Sequence, residues 1–227
     1  MMDFAVVIPA YQAAPSIAAV VRQTLAACPA ERVLVVDDGS SDGTSEVAAE
    51  AGALVVRHEV NRGKGAAMQT GFEEWLKASV DGVVTLDADG QHLSSEIPKL
   101  VSAAESGADL VLGVRDHLFL EMSRLRRTSN RISSGLISFA AAYSVSDVQT
   151  GFRYYSRGLI EGVGLRETGF EAESAVFVRA ARHGFKIVTT PIELGFTDGI
   201  STSHYRPLWD SLRIARAVIR AMAEGGS

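Results

Sequence analysis

Residues 82–92, GVVTLDADGQH, place an apolar strand directly before two carboxylates, Asp87 and Asp89, that are separated only by Ala88. Like charges this close repel each other, so the pair is costly unless a cation lies between them. Asp and Gly are also turn residues, and a solvated turn is the simpler interpretation. The alternative is a hard divalent cation, Mg²⁺ or Mn²⁺, which binds one or two carboxylates together with substrate phosphates.

Two classes of metal-using enzyme are compatible with this acid pair. A phosphohydrolase would use the first Asp as a nucleophile, whereas a transferase would hold a nucleotide diphosphate through the metal. The phosphohydrolase motif needs Thr or Val after Asp-x-Asp-Gly, where this chain has Gln91, and it normally ends an early strand. The stretch therefore favours the transferase.

Composition narrows the class of protein. The chain has 227 residues, 47% of them hydrophobic, which predicts one α/β domain over residues 1–227. A single cysteine, Cys28, can form no internal disulfide, and no stretch approaches the ~20 apolar residues of a spanning helix. The start of the chain also lacks the basic flank of a signal peptide, so we expect a cytoplasmic protein. A net charge of −5 argues against a nucleic-acid partner.

Short apolar runs alternate with helical patterns along the first half of the chain. Strands are predicted at residues 4–9, 32–36, 54–57, 82–86 and 109–114, with helices that begin near 16, 44, 65 and 94. Strands that are apolar throughout indicate a mainly parallel sheet with helices on both faces. Ligands bind beyond the carboxyl ends of such strands. One rim should therefore collect Asp37, Asp38, the Asp87 and Asp89 pair, and Arg115.

The alternation breaks after Arg115. The pattern then predicts a long helix over residues 123–143, a strand at 152–156, a helix at 173–183, a strand at 187–194 and a last helix from 207 to about 224. That last helix is basic and amphipathic. Its apolar stripe comprises Leu208, Leu212, Ala215, Ile219 and Met222, and Arg213, Arg216 and Arg220 lie opposite. Such a helix either packs on the domain or lies on a membrane surface.

Two further stretches contain residues suited to nucleotide binding. In VVDDGSSDGT, residues 35–44, a carboxylate can accept hydrogen bonds from a nucleobase or a ribose, and Asp42 or Thr44 can also cap the next helix. NRGKGAAMQTGF, residues 61–72, contains a Gly-Lys-Gly triplet but lacks the remaining residues of a P-loop. Lys64 at a helix N-terminus can still favour a diphosphate.

These stretches together resemble a known family. VVIPAYQ (6–12), VVDDGSSDGT, NRGKGAA, LDADGQH and SDVQTGFRYYSR (146–157), in this order and spacing, resemble the family 2 glycosyltransferases of GT-A fold. The chain is most similar to the branch that transfers mannose or glucose to polyprenyl or dolichyl phosphate. The resemblance covers about residues 4–215. It implies a Rossmann-like, mainly parallel sheet, a nucleotide-diphospho-sugar donor such as GDP-mannose or UDP-glucose, and Mg²⁺ or Mn²⁺.

The resemblance also assigns expected roles to individual positions. Asp87 and Asp89 match the metal motif, with Gln91 as a further ligand. Donor-binding positions are matched by Pro9, Tyr11, Asp37, Asp38, Arg115 and Arg206. Lys64, at its helix N-terminus, and Ala88, between the two aspartates, are also expected to contact the donor. Asp147 and Gln149 match a segment close to the reacting centre.

The acceptor decides whether a base is needed. A sugar hydroxyl must lose its proton during attack, and Glu171 and Glu173 are the candidate bases for that acceptor. A lipid phosphate is already ionised, so arginines are more useful. An arginine cluster before an apolar stretch, Arg124, Arg126, Arg127 and Arg131, suits a phosphate on a polyprenyl tail.

We therefore expect an inverting hexosyltransferase acting on polyprenyl phosphate, with peripheral contact at the cytoplasmic membrane face. A transferase acting on a saccharide hydroxyl, and a nucleotide-binding module without turnover, are the alternatives.

Overall fold

The computed structural model describes residues 2–114, 137, 140, 141, 143, 148, 150–195 and 207–224, and of 207–211 the backbone alone. The strands are β1 Phe4–Ala10, β2 Val33–Asp37, β3 Leu54–Arg57, β4 Gly82–Thr85, β5 Leu110–Val114, β6 Arg153–Ser156 and β7 Ile187–Pro191. The helices are α1 Ala14–Leu25, α2 Thr44–Glu50, α3 Lys64–Leu76, α4 Ile97–Glu105, α5 Arg157–Gly162, α6 Glu171–Arg182 and α7 Pro207–Glu224, with short 3₁₀ turns at Ala30–Arg32 and Ser94–Glu96.

The seven strands form one sheet in the order β3-β2-β1-β4-β6-β5-β7. Every pairing is parallel except the two made by β6, which runs antiparallel between β4 and β5. The expected mainly parallel α/β fold is therefore confirmed. Gly82 allows this insertion, because a Cβ there would lie 2.3 Å from the hydroxyl oxygen of Tyr154.

Alternate residues of each strand feed two hydrophobic layers. Val7 of β1 packs in a cluster with α3, α6 and α7, whereas Val6 and Ile8 pack in a cluster with α1, α2 and α4. Helices thus cover both faces of the sheet, as the apolar strands predicted. Burial of a Val or Ile side chain is worth about 1.5–3 kcal/mol, so the central strands contribute much of the stability.

Several boundaries differ from the sequence-based expectation. The strand after α6 ends at Pro191 rather than 194, and α5 was not predicted at all. Helix α6 begins two residues earlier than expected, which places Glu171 and Glu173 in its first turn. Carboxylates there interact favourably with the positive end of the helix dipole. Most of the helix expected over 123–143 lies outside the described residues.

Helix α7 packs on the domain, but through a different stripe from the one read in the sequence. Among its described side chains, those of Ile214, Ala217, Val218 and Ala221 are buried, and Met222, a member of the expected stripe, packs partly buried against the same core. Two members of the expected apolar stripe, Leu212 and Ile219, are 61% and 65% exposed. No helix in the described part of the chain is long and apolar enough to cross a membrane.

Candidate active site

A cavity of about 660 Å³ opens beyond the carboxyl ends of β1, β2 and β4. It lies where the strand order reverses, since β2 flanks β1 on one side and β4 on the other. Seven predicted site residues line it: Pro9, Tyr11, Asp38, Lys64, Asp87, Ala88 and Asp89. The other lining residues include Gly169, Phe170 and Arg213, which were not predicted to contact the donor. Of the acids expected at one rim, Asp38, Asp87 and Asp89 thus line the same cavity.

Asp37 lies beneath the loop that follows β2. Its carboxylate accepts hydrogen bonds from the backbone N–H of Ser40, at 2.9 Å, and from the hydroxyl of Ser45. Asp37 is 1% exposed and is not among the cavity-lining residues. Its expected contact with the donor stays a prediction.

Asp38 anchors the loop between β3 and α3. Oδ1 accepts from the backbone N–H of Arg62 at 2.9 Å and from Nδ1 of His58 at 2.7 Å, and Oδ2 accepts from Gly63 N at 2.7 Å. In the tautomer that donates to Asp38, Nε2 of His58 accepts from the Thr70 hydroxyl at 2.9 Å. One carboxylate therefore fixes both the cavity wall and the start of α3.

The loop after β2 also caps α1. Thr44 Oγ1 accepts from Ala13 N at 2.9 Å, and Asp42 Oδ2 accepts from Ala14 N at 3.0 Å. Burial alone would raise the pKa of Asp42, but hydrogen bonds from the Thr44 hydroxyl and from the N–H groups of Ala14 and Thr44 lower it. Asp42 and Thr44 were expected to cap the helix that follows them, but the N-cap of α2 is Gly43, without a side-chain cap, and their hydrogen bonds cap the preceding helix instead.

The Gly-Lys-Gly triplet is shaped by packing against the loop before α6. A Cβ at Gly63 would lie 2.4 Å from the carbonyl oxygen of Thr168, and one at Gly65 would lie 2.4 Å from that of Glu167. Gly63 also has a φ of 102°, which side chains rarely adopt. Both glycines are therefore required by contacts with a segment about 100 residues away in sequence.

Lys64 lies between two carboxylates. Its Nζ is 2.7 Å from Asp87 Oδ1 and 3.1 Å and 3.2 Å from the two oxygens of Glu173, and its side chain is 16% exposed. Burial would lower the pKa of Lys64, but Asp87 and Glu173 raise it above its ordinary value, so the ammonium is charged. Burial raises the pKa of Glu173, and Lys64 opposes that shift.

The two acids of the Asp-x-Asp pair differ, since Asp89 forms a turn and Asp87 has a partly exposed carboxylate. Asp89 Oδ1 accepts from Gln91 N at 2.9 Å, which is a turn, whereas the Asp87 side chain is 31% exposed and pairs with Lys64. Within the described ranges, no three His, Cys, Asp or Glu side chains are grouped so that they could hold a metal ion by themselves. Two carboxylates on a cavity form an all-oxygen donor set that fits Mg²⁺ or Mn²⁺, with substrate phosphates as the other ligands.

A wholly buried arginine, Arg153, organises the floor behind Asp87. Its guanidinium donates to the carbonyl oxygens of Thr150 at 2.8 Å, Glu173 at 2.7 Å, and Val148. Gly151 is held close to Asp87, because a Cβ there would lie 2.4 Å from Oδ2. Sequence analysis did not select Arg153, although it lies in the quoted stretch SDVQTGFRYYSR.

Both candidate bases are buried and paired with cations. Glu171 Oε1 lies 3.2 Å from Arg213 Nη2 and accepts from Gly169 N at 3.3 Å, while Glu173 pairs with Lys64. Arg213 brings a positive charge to the cavity from α7, with its side chain about half exposed. The only sequence signal for Arg213 was the basic face of that helix.

Eight predicted site residues lie outside the described ranges, so their placement stays a prediction. They are Arg115, Arg124, Arg126, Arg127, Arg131, Asp147, Gln149 and Arg206.

Comparison with known proteins identifies the family. The family model described as Glycosyl transferase family 2 matches residues 5–164, more than half of the chain. The chain belongs to glycosyl transferase family 2. It is 32% identical over 204 residues to the polyprenol monophosphomannose synthase of Mycolicibacterium smegmatis, covering 82% of this chain and 75% of that protein.

Other similarities extend the family assignment. The chain is 37% identical over 168 residues to the undecaprenyl-phosphate 4-deoxy-4-formamido-L-arabinose transferase of Edwardsiella ictaluri, covering 70% of this chain and half of that protein. The fold is similar to glucosyl-3-phosphoglycerate synthase from Mycobacterium tuberculosis, crystallised with Mn²⁺, UDP-glucose and phosphoglyceric acid. That likeness has a TM-score of 0.74 at 19% identity and covers 98% of this chain and 80% of the other. It confirms the GT-A fold.

Proposed function

We propose that this family 2 glycosyltransferase moves a hexose, with inversion, from a nucleotide diphospho-sugar to polyprenyl phosphate. The observation that carries the proposal is the cavity itself, which presents the Asp87 and Asp89 carboxylates and the Lys64 and Arg213 cations to one space. A diphosphate bound with a divalent metal needs carboxylates to hold the metal and cationic side chains to contact the phosphates. The names of the two polyprenyl-phosphate relatives support the acceptor.

In this proposal Asp87 and Asp89 hold Mg²⁺ or Mn²⁺, with Gln91 as a further ligand. The bound metal neutralises charge on the departing diphosphate. Pro9, Tyr11, Asp37 and Asp38 bind the nucleoside. Lys64 and Arg213 lie on the phosphate side, and Arg115 and Arg206 are assigned there by the family resemblance alone.

An ionised acceptor phosphate needs positioning rather than deprotonation. The ion pairs of Glu171 with Arg213 and of Glu173 with Lys64 support that reading, because both carboxylates are already engaged by cations of the chain. Asp147, Gln149 and the Arg124, Arg126, Arg127 and Arg131 cluster are proposed to bind the acceptor. Transfer to a saccharide hydroxyl is the competing function.

A panel of nucleotide sugars with short-chain polyprenyl phosphate tests the proposal. We expect turnover with a GDP-hexose or a UDP-hexose, and Glu171→Gln should keep the rate within about tenfold of the wild type. A hydroxyl acceptor that used Glu171 as its base would instead lose about 10²–10⁴ in rate. Turnover of saccharides alone, with a dead Glu171→Gln variant, would overturn the lipid-phosphate assignment. Binding of nucleotide without turnover of any acceptor would favour the non-catalytic module.

We also propose that the outer face of α7 contacts an anionic bilayer, which would bring the enzyme to its lipid acceptor. This face presents the exposed aliphatic side chains of Leu212 and Ile219 beside exposed Arg216 and Arg220. Apolar insertion and attraction to anionic lipid act together on such a surface.

Flotation with phosphatidylglycerol vesicles tests this contact. The double change Leu212→Ser and Ile219→Ser should weaken vesicle binding severalfold, and added salt should release the wild type. The matched control changes Leu54 and Val60 to Ser, since these exposed aliphatic residues lie elsewhere. Equal loss in both double variants, or wild-type protein that never floats, would contradict the proposed contact.

A further inference from the structure

Lys64 occupies one oxygen of Asp87, the first expected metal ligand. Oδ1 of Asp87 is 2.7 Å from Lys64 Nζ, and Oδ2 is 3.7 Å from Nδ1 of His92. The backbone of Gly151 lies against both oxygens, since a Cβ there would be 2.4 Å from Oδ2 and 2.6 Å from Oδ1. In this arrangement a divalent cation that approaches Oδ1 meets an ammonium. Two cations that share one carboxylate repel each other, and the repulsion is strong where water is partly excluded.

The lysine can move without disturbing the fold. Its main chain is fixed, since Gly63 and Gly65 on either side of it pack against the carbonyl oxygens of Thr168 and Glu167. Its four-carbon stem is flexible, so Nζ can swing while the backbone stays in place. Glu173 also holds the ammonium, and the backbone carbonyl of Glu173 accepts a hydrogen bond from buried Arg153.

Lys64 is therefore a cation of the site that keeps one partner, Glu173, and can exchange the other, Asp87. Glu173 is buried and cannot leave, so it keeps Lys64 near the cavity. Asp87 is partly exposed and can be given up when another anion reaches the ammonium. The diphosphate of the donor is such an anion, and it arrives together with the metal that needs Asp87.

We propose that Lys64 occupies Asp87 in the metal-free protein and releases it when a divalent metal and a nucleoside diphosphate bind together. Lys64 then pairs with the diphosphate and with Glu173, while Asp87 ligates the metal. Metal and nucleotide consequently bind cooperatively, and each raises the affinity of the other by the same factor. This inference rests on the proposed nucleotide-sugar function and adds how Lys64 couples binding of the metal to binding of the nucleotide.

Mn²⁺ titration, with free Mn²⁺ followed by electron paramagnetic resonance, tests the proposal. In the wild type, saturating UDP or GDP should tighten Mn²⁺ binding at least about tenfold, a coupling of about 1.4 kcal/mol. The double variant Lys64→Met with Glu173→Gln removes the ammonium and its buried partner together, so no unpaired buried carboxylate is left. It should bind Mn²⁺ alone severalfold more tightly than the wild type and should lose most of the coupling.

The matched control removes another lysine–glutamate pair. Lys77→Met with Glu74→Gln changes the same two residue types at a surface pair 2.7 Å apart, and it should leave Mn²⁺ binding unchanged. As a second variant, Lys64→Gln should also tighten Mn²⁺ alone, whereas Lys64→Arg should keep the wild-type coupling. Mn²⁺ binding without nucleotide that is equal or weaker in both the double variant and Lys64→Gln would overturn the proposal.

The same experiment separates failure of the inference from failure of the proposed function. Wild-type protein that binds neither UDP nor GDP would count against the nucleotide-sugar function. The comparison of Mn²⁺ alone between wild type and the Lys64 variants would still decide whether the lysine competes for Asp87.

Discussion

Two acid pairs stand at two strand ends of this sheet, and they differ in what satisfies them. After β2, Asp37 and Asp38 are 1% and 2% exposed, and most of their hydrogen bonds come from backbone N–H groups and hydroxyls. After β4, Asp87 is partly exposed and held by a lysine ammonium, and Asp89 lines the cavity. In the sequence both pairs look like acids at the tip of an apolar strand.

The difference shows how one residue type serves two purposes. A carboxylate that accepts from the backbone is fixed by the fold, and its loss unpairs buried donors. A carboxylate held by a flexible side chain can exchange its partner for a metal. Besides the donor contact proposed for them, the β2 acids should therefore contribute more to stability than the β4 acids, and the more exposed β4 acids should contribute more to the chemistry.

The largest expected effect follows from removing the β4 carboxylate. Asp89→Ala should lower the transfer rate by about 10³ or more, because a bound metal contributes several kcal/mol to the transition state. The melting temperature should change little, since Asp89 packs no core. A transferase assay at saturating Mn²⁺ measures the effect, and undiminished activity would remove Asp89 from the metal site.

The β2 acid should give the reverse pattern. Asp38→Asn places an amide where two backbone N–H groups and His58 now donate, so it should lower the free energy of unfolding by about 3 kcal/mol. For a chain of this size that loss is about 6–12 °C in melting temperature. Calorimetry on Asp38→Asn and Asp89→Asn, side by side, measures the contrast. Equal melting temperatures for the two variants would mean that the acid pairs are not distinguished by their partners.

Ligand-induced stabilisation sharpens the comparison. With Mn²⁺ and a nucleoside diphosphate at about 100 times Kd, the wild type should gain about 2.7 kcal/mol, because the ligands bind only the folded state. Asp89→Ala should gain much less. An Asp89→Ala protein that is stabilised as strongly as wild type would show that the nucleotide binds without this carboxylate.

The smallest expected effect is on acid stability at the β2 end. Hydrogen bonds lower the pKa of Asp42 below its ordinary 3.8, so the folded state binds fewer protons there than the unfolded state. This contribution is complete above pH 3.8 and is lost as pH falls through the lower, folded-state pKa. In Asp42→Asn, the free energy of unfolding should fall less between neutral and acid pH than in the wild type, by less than about 1 kcal/mol. Urea titrations between about pH 2 and pH 6 measure the difference, and parallel curves would contradict it.

Local pattern was enough to predict the strands and part of the rim. Apolar runs set β1 to β5 within a residue or two, and the parallel arrangement then brought Asp38, Lys64 and Asp87 together. Periodicity could not predict contacts between distant segments. Glycine is needed at 63 and 65 because the carbonyl groups of residues 167 and 168 lie so close. Arg153 is buried because backbone carbonyl groups accept its hydrogen bonds, and no pattern of charges in the sequence indicates this.

The last helix shows the same limit. Its amphipathic pattern predicted a helix at the correct residues, but the core contacts Ile214 and Val218 rather than Leu212 and Ile219. A helix with apolar residues on more than one face does not reveal which face meets the domain. Arg213 lines the cavity because the face of α7 that carries Ile214 and Val218 packs on the domain.

The antiparallel strand β6 has a consequence for the order in which the chain folds. Strands β1 to β4 can pair as soon as they are synthesised, but β5 joins them only through β6, about 40 residues later. Until then the outer edge of β4 is open beside Asp87, and neither Gly151 nor Glu173 has arrived. A nascent chain released at the end of β5 would thus expose an unpaired strand edge, a template for aggregation. Chaperone binding to ribosome-stalled chains should accordingly drop once residue 156 has left the exit tunnel.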